Sequence, residues 1–89
     1  MKTRSIVIAN PTGFHARPAR EFVDAATERF PDTAVTVVKG DKRIDGKSMI
    51  RMLALSARYR DTVELTVEGG DEDGAIKVLG DFFETIHAE

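Results

Sequence analysis

Hydrophobic and polar positions along this chain recur with two different periods, and each change of period marks an element. Residues 3 to 9 alternate, with Ile6 and Ile8 on one side and Ser5 and Val7 on the other, which predicts a strand. The run Asn10-Pro11-Thr12-Gly13 stops it: Pro11 lacks a donor and Gly13 tolerates positive φ. From about Ala16 the period lengthens. Ala19, Phe22, Val23, Ala26 and Phe30 recur at spacings of three and four, which predicts a helix with one apolar stripe. Glu21, Asp24 and Glu28 fall on its wet side, Pro18 in its first turn, and Pro31 beyond its end. Val35 to Val38 is β-branched and predicts a second strand, with Val35 and Val37 inward. After Lys39-Gly40-Asp41-Lys42, Arg43 and Ile44 make a short third, so residues 34 to 45 form a hairpin. Asp45-Gly46-Lys47 breaks the pattern, and Ser48 N-caps a short helix running to about Leu55. Val63, Leu65 and Val67 alternate with Glu64, Thr66 and Glu68 in the clearest strand, residues 62 to 68. Past Gly69-Gly70, the acidic residues Asp71, Glu72 and Asp73 suit a helix N-terminus. Ala75, Ile76, Leu79, Phe82, Phe83 and Ile86 form the apolar face of that last helix, and Gly80 weakens it by about 1 kcal/mol against Ala.

The resulting order is β-α-β-β-α-β-α. Strands with one polar face and helices with one apolar stripe give an α+β open-faced sandwich of two layers. At 89 residues the chain is expected to form one domain, residues 1–89. Charged residues make up 31% and the net charge is -2, without the basic excess of a nucleic-acid module. There is no cysteine, hence no disulfide framework and no thiolate metal site, and a cytoplasmic location fits. The opening residues enter a strand pattern at once and lack the features of a signal peptide. No apolar run approaches the roughly 20 residues of a membrane-spanning helix.

The chemistry concentrates where the first strand meets the first helix. His15 falls at the helix N-cap. There the first amides lack intrahelical partners, carry partial positive charge and favour an anion. Arg17 offers a planar fork of donors suited to phosphate oxygens. Imidazole is nucleophilic near neutral pH. The group can therefore accept a phosphoryl group and hold it without metal or cofactor, although a histidine at a helix start also serves as a plain capping or surface residue. His87 lies off the apolar stripe and reads as a solvated tail residue. Two histidines so far apart give no metal pattern.

Gly13-Phe14-His15-Ala16-Arg17-Pro18-Ala19 resembles the signature of HPr, the histidine-containing phosphocarrier family of the phosphoenolpyruvate-dependent phosphotransferase system. Gly46-Lys47-Ser48-Met49-Ile50 and Gly70-Asp71-Glu72 resemble the same family, in order and over essentially the whole chain. The resemblance implies the HPr-like fold, a four-stranded antiparallel sheet under three helices. It implies a carrier rather than an enzyme: phospho-enzyme I passes its phosphoryl group to Nδ1 of His15, and His15 passes it to a histidine of an enzyme II A domain. Arg17 then orients and neutralises the phosphate. Ala16, Met49, Ile50 and Leu53 match positions that dock partners, whereas Met52 and Leu55 belong to the core. Ser48 matches the serine that an HPr kinase phosphorylates in some bacteria; mass mapping after incubation with that kinase and ATP checks it, and an unmodified Ser48 removes the idea. A monomer suits a carrier that shows one face to successive partners.

Two stretches depart from the family pattern. Arg29-Phe30-Pro31-Asp32-Thr33 is about two residues longer than in many relatives, at the end of the helix far from His15. Ser56-Ala57-Arg58-Tyr59-Arg60-Asp61 lacks the glycines common there, so Tyr59 or Arg60 is expected at an unusual backbone angle, or the turn differs. Its two arginines make that edge basic. The carbon-transport branch and the nitrogen-related regulatory branch both remain open. So does an interaction module of the same fold that transfers nothing, for which His15→Ala leaves function intact. A hydrolase using His15 as base lacks an evident nucleophile nearby in sequence.

Overall fold

The computed structural model describes residues 1–85, so Ile86 and His87 lie outside the described residues. The elements are β1 (Lys2–Val7), α1 (Ala16–Glu28), β2 (Ala34–Lys39), β3 (Lys42–Asp45), α2 (Met49–Ala54), β4 (Thr62–Glu68) and α3 (Glu72–Glu84). The order is the one the periodicity predicts. The strands form one antiparallel sheet in the order β1-β4-β2-β3. β1 is shorter at its C-terminal end than the alternation predicts, because Val7 pairs with Thr62, the first residue of β4. Beyond the ladder, Ile8 and Ala9 are held instead by the carbonyls of Asp61 and Phe83, at 2.9 and 3.1 Å.

One sheet face carries Ile6, Val35, Val37, Val63, Leu65 and Val67, all buried under the helices. The other is wet, with Thr3 and Thr66 hydroxyls 3.2 Å apart across the β1–β4 pair. Phe22 from α1 and Phe83 from α3 meet at 5.1 Å between ring centroids and fill the layer between helices and sheet. Phe30, read as part of the α1 stripe, lies past the helix end at Arg29 but is buried all the same. Gly46 is required by packing: a Cβ there would meet Val35 Cγ1 at 2.6 Å. The segment after α1 is tied down by Lys47, whose Nζ donates to the Phe30 and Pro31 carbonyls, and by Thr33, whose hydroxyl donates to the Gly69 carbonyl. Gly80 of α3 lies beneath the Arg4 side chain, which reaches the Ile76 carbonyl and the carboxylates of Asp81 and Glu84. The helix-weakening glycine is thus a crossing point for an ion-pair cluster joining β1 to α3.

Candidate functional site

The turn that presents His15 is built from three anchors. Asn10 is buried, and its Nδ2 donates to Thr12 Oγ1 and to the Gly13 carbonyl, both at 2.9 Å. The Gly13 N–H donates back to the Asn10 carbonyl at 2.8 Å, closing the turn. Gly13 has φ 81°, and a Cβ on it would stand 3.0 Å from the Ala57 carbonyl oxygen, so both its angle and its packing demand glycine. Phe14 then drops into the core, its ring 4.6 Å from Phe83 and 6.0 Å from Phe22 between centroids. Its N–H donates to the Ala57 carbonyl at 2.9 Å. A residue anchored on both its side chain and its backbone immediately precedes His15, so the imidazole springs from a rigid base.

His15 is the N-cap of α1, in extended conformation (φ -91°, ψ -164°), and its carbonyl accepts from the Ala19 N–H at 2.9 Å. The residue is half-buried and its Nε2 is buried. Pro18 has no N–H, which leaves the amides of Ala16 and Arg17 as the donors of the first turn beyond the helix's own ladder. That turn contains no acidic residue, so nothing in it opposes a visiting anion. Arg17 is exposed, with Nε 4.0 Å from a Glu21 carboxylate oxygen one turn on. Such a contact is weak enough for the guanidinium to swing to another anion.

A shallow open depression of about 300 Å³ surrounds the imidazole. Thr12, His15 and Ala16 line it on one side, Leu53, Ser56 and Arg58 on the other. It therefore joins the N-terminus of α1 to the α2–β4 loop. Ser48 caps α2, its hydroxyl accepting from the Arg51 N–H at 3.3 Å. Among the predicted docking residues, Ile50 is 80% exposed and Leu53 44%, whereas Met49 is half-buried against the core. Met52 and Leu55 are fully buried, as expected for core residues. In the glycine-poor loop the positive φ angles belong to Ser56 (55°) and Arg60 (73°). The expectation for Arg60 holds, while that for Tyr59 gives way to Ser56. Sequence reasoning missed Asn10 as a structural anchor and Arg58 as a neighbour of His15. An asparagine three residues ahead of a glycine in a turn was the available signal for the first; nothing local signalled the second.

A family model described as "PTS HPr component phosphorylation site" matches residues 2–85 of this chain. The chain belongs to the HPr family. Its members are phosphocarrier proteins of the phosphotransferase system, not catalytic enzymes. The phosphocarrier protein HPr of Neisseria meningitidis is 34% identical over 89 residues, covering 100% of this chain and 98% of that protein. A multiphosphoryl transfer protein of Xanthomonas campestris carries a similar HPr segment, 33% identical over 82 residues, which covers 92% of this chain and 10% of that much longer protein. The crystal structure of HPr from Thermoanaerobacter tengcongensis superposes with a TM-score of 0.86 at 40% identity, covering 94% of this chain and 92% of that one. A dimer of the same HPr has also been solved and superposes with a TM-score of 0.70 at 40% identity, covering 94% of each chain. The fold and family implied by the three sequence motifs are therefore correct.

Proposed function

We propose that this HPr carries a phosphoryl group on His15, taking it from phospho-enzyme I and giving it to an enzyme II A domain. The observation that carries the reading is the placement of His15 at the open N-terminus of α1, where the first turn holds Arg17 and no carboxylate. Burial of Nε2 supports Nδ1 as the reacting atom, since an incoming phosphorus cannot reach a nitrogen packed against the protein. In the transfer, the Nδ1 lone pair of neutral His15 attacks the phosphorus on the donor histidine. The new N–P bond forms as the old one breaks, and the leaving electron pair returns to the donor imidazole. Arg17 and the first-turn amides neutralise the phosphoryl oxygens in flight and afterwards. The second transfer is the same exchange in reverse, with His15 as the leaving group. Ala16, Met49, Ile50 and Leu53 border the imidazole or extend from it along α2, an apolar apron against which both partners dock. A monomer leaves that apron free.

Incubation with enzyme I and labelled phosphoenolpyruvate tests the reading. The expected result is an acid-labile, base-stable adduct that His15→Ala abolishes. A chain that takes no label, or a His15→Ala variant that labels as well as the unaltered protein, overturns it. Enzyme II A domains of the carbon and nitrogen branches, added to the labelled protein, then identify the acceptor by which of them discharges it.

A further inference from the structure

We infer that Arg58 is a second phosphate-contacting residue, a cation that grips the phosphoryl group on His15 from the side opposite Arg17. The inference rests on the phosphocarrier reading above and adds a residue to it. Its basis is how the two chain segments are clipped together. The Phe14 N–H donates to the Ala57 carbonyl at 2.9 Å, so the two segments are clipped together one residue ahead of His15 and of Arg58. Gly13 packs so close to the loop that a Cβ on it would lie 3.2 Å from the Arg58 Cα. Both residues line the same depression.

The Arg58 backbone is held as firmly as that of His15. Its N–H donates to the Asp61 carboxylate at 2.8 Å, and its carbonyl accepts from the Asp61 N–H at 2.9 Å. Asp61 is the nearest carboxylate in the loop, yet its oxygen is committed to that N–H and to Lys39 Nζ at 3.0 Å. Arg58 is an exposed residue lining the depression, and the one carboxylate of its loop, Asp61, is shared between it and Lys39. Arg60, two residues on, is turned aside by its positive φ and lies over the Tyr59 ring at 5.2 Å. Of the two loop arginines, only Arg58 lines the His15 depression. When the phosphoryl group arrives, three oxygens carry about two negative charges, more than one exposed guanidinium neutralises. Arg17 from α1 and Arg58 from the α2–β4 loop supply two forks from two directions. No bond forms or breaks at Arg58: it binds the phosphorylated state and so draws the exchange with phospho-enzyme I toward it.

Two measurements on the full chain test this. In the first, the Nε–H resonances of the arginines are followed by NMR before and after phosphorylation with enzyme I and phosphoenolpyruvate. The Arg58 and Arg17 signals are expected to shift and the Arg60 signal to stay. In the second, the phosphorylated fraction is measured at a fixed ratio of phosphoenolpyruvate to pyruvate. Arg58→Gln is expected to lower the equilibrium ratio of phosphorylated to free protein about two- to fivefold, the range of an exposed ion pair. Arg58→Lys recovers part of the loss, and added salt shrinks the difference. A merely structural Arg58 moves neither the resonance nor the ratio, because Arg58→Gln keeps the backbone bonds to Asp61. Normal labelling with an unmoved Arg58 resonance and an unchanged ratio overturns this inference alone. A chain that takes no label overturns it together with the reading on which it rests.

Discussion

Ser56 and Arg60 occupy the left-handed region at φ 55° and 73°, where a Cβ costs about 1–2 kcal/mol and glycine costs little. The loop tolerates this because its ends are over-determined. Ser56 follows the α2 cap, with its N–H on the Leu53 carbonyl, and the Arg60 N–H is held by the Ile8 carbonyl. Ser56→Gly should therefore stabilise the domain by about 0.5–1 kcal/mol, the gain in strain being partly offset by the looser unfolded chain. Arg60→Gly should gain less, since it also removes the guanidinium from the Tyr59 ring. Tyr59→Gly, at a residue without positive φ, should gain nothing and serves as the control. Urea denaturation of the three variants checks the order, and a destabilised Ser56→Gly would contradict it. The absence of glycine from this loop was legible in the sequence. Which residues bear the strain was not, because that depends on where the Ile8 carbonyl, just past β1, catches the loop. The same limit hid Arg58, whose place beside His15 follows from the Phe14–Ala57 bond between segments far apart in the chain.

At the scale of elements, α2 is where pattern alone came closest to function. A helix of six residues with Met49, Ile50, Met52 and Leu53 in it, and Leu55 as its C-cap, has more apolar groups than one buried stripe can use. The surplus is visible at once, and the buried pair, Met52 and Leu55, is set by spacing along the helix. Met49 is the residue whose partial burial the pattern does not show. It stands at the first helical position, next to the Ser48 cap, and packs partly against the core rather than standing clear of it. This separates two substitutions that look alike in sequence. Ile50→Glu places a charge on a side chain that is 80% exposed, so stability should change by no more than about 0.5 kcal/mol. Transfer from enzyme I should slow, chiefly through a raised KM for this protein as substrate. Met49→Glu buries part of a carboxylate and should both slow transfer and lower the melting temperature. Steady-state phosphotransfer kinetics beside thermal melts distinguish the two. An Ile50→Glu variant with unchanged kinetics would remove α2 from the docking surface.

For the molecule as a whole, periodicity was enough to order the seven elements but silent on the charges that tie them together, because those pairs join residues remote in sequence. Arg4 reaches from β1 to Asp81 on α3, and Lys39 reaches from the end of β2 to Asp61 at 3.0 Å. Three carboxylates are held below their ordinary pKa, each by a neighbour in sequence first and by a remote partner after it. The Arg58 N–H and then Lys39 lower Asp61, the Gly69 N–H and then the Met1 amine lower Glu72, and Lys77 and then Arg4 lower Asp81. A carboxylate whose pKa is lower in the folded chain than in the unfolded one stabilises the fold at any pH above its unfolded value. That contribution disappears as pH falls through the folded value, when the native state must take up the proton it had resisted. Stability owed to these groups should accordingly be flat from neutrality down to about pH 5 and decline below about pH 4, where free carboxylates titrate. All three lie at the surface, so the decline should be shallow and should flatten in high salt. Thermal melts between pH 7 and pH 3 trace it. Asp61→Asn should lower the melting temperature at pH 7, draw closer to the unaltered protein as pH falls below about 4, and leave the Ile8–Asp61 backbone bond intact. If the two curves instead stay parallel down to pH 3, the Asp61 pairings add nothing that depends on charge, and Lys39 and the loop are held by packing alone.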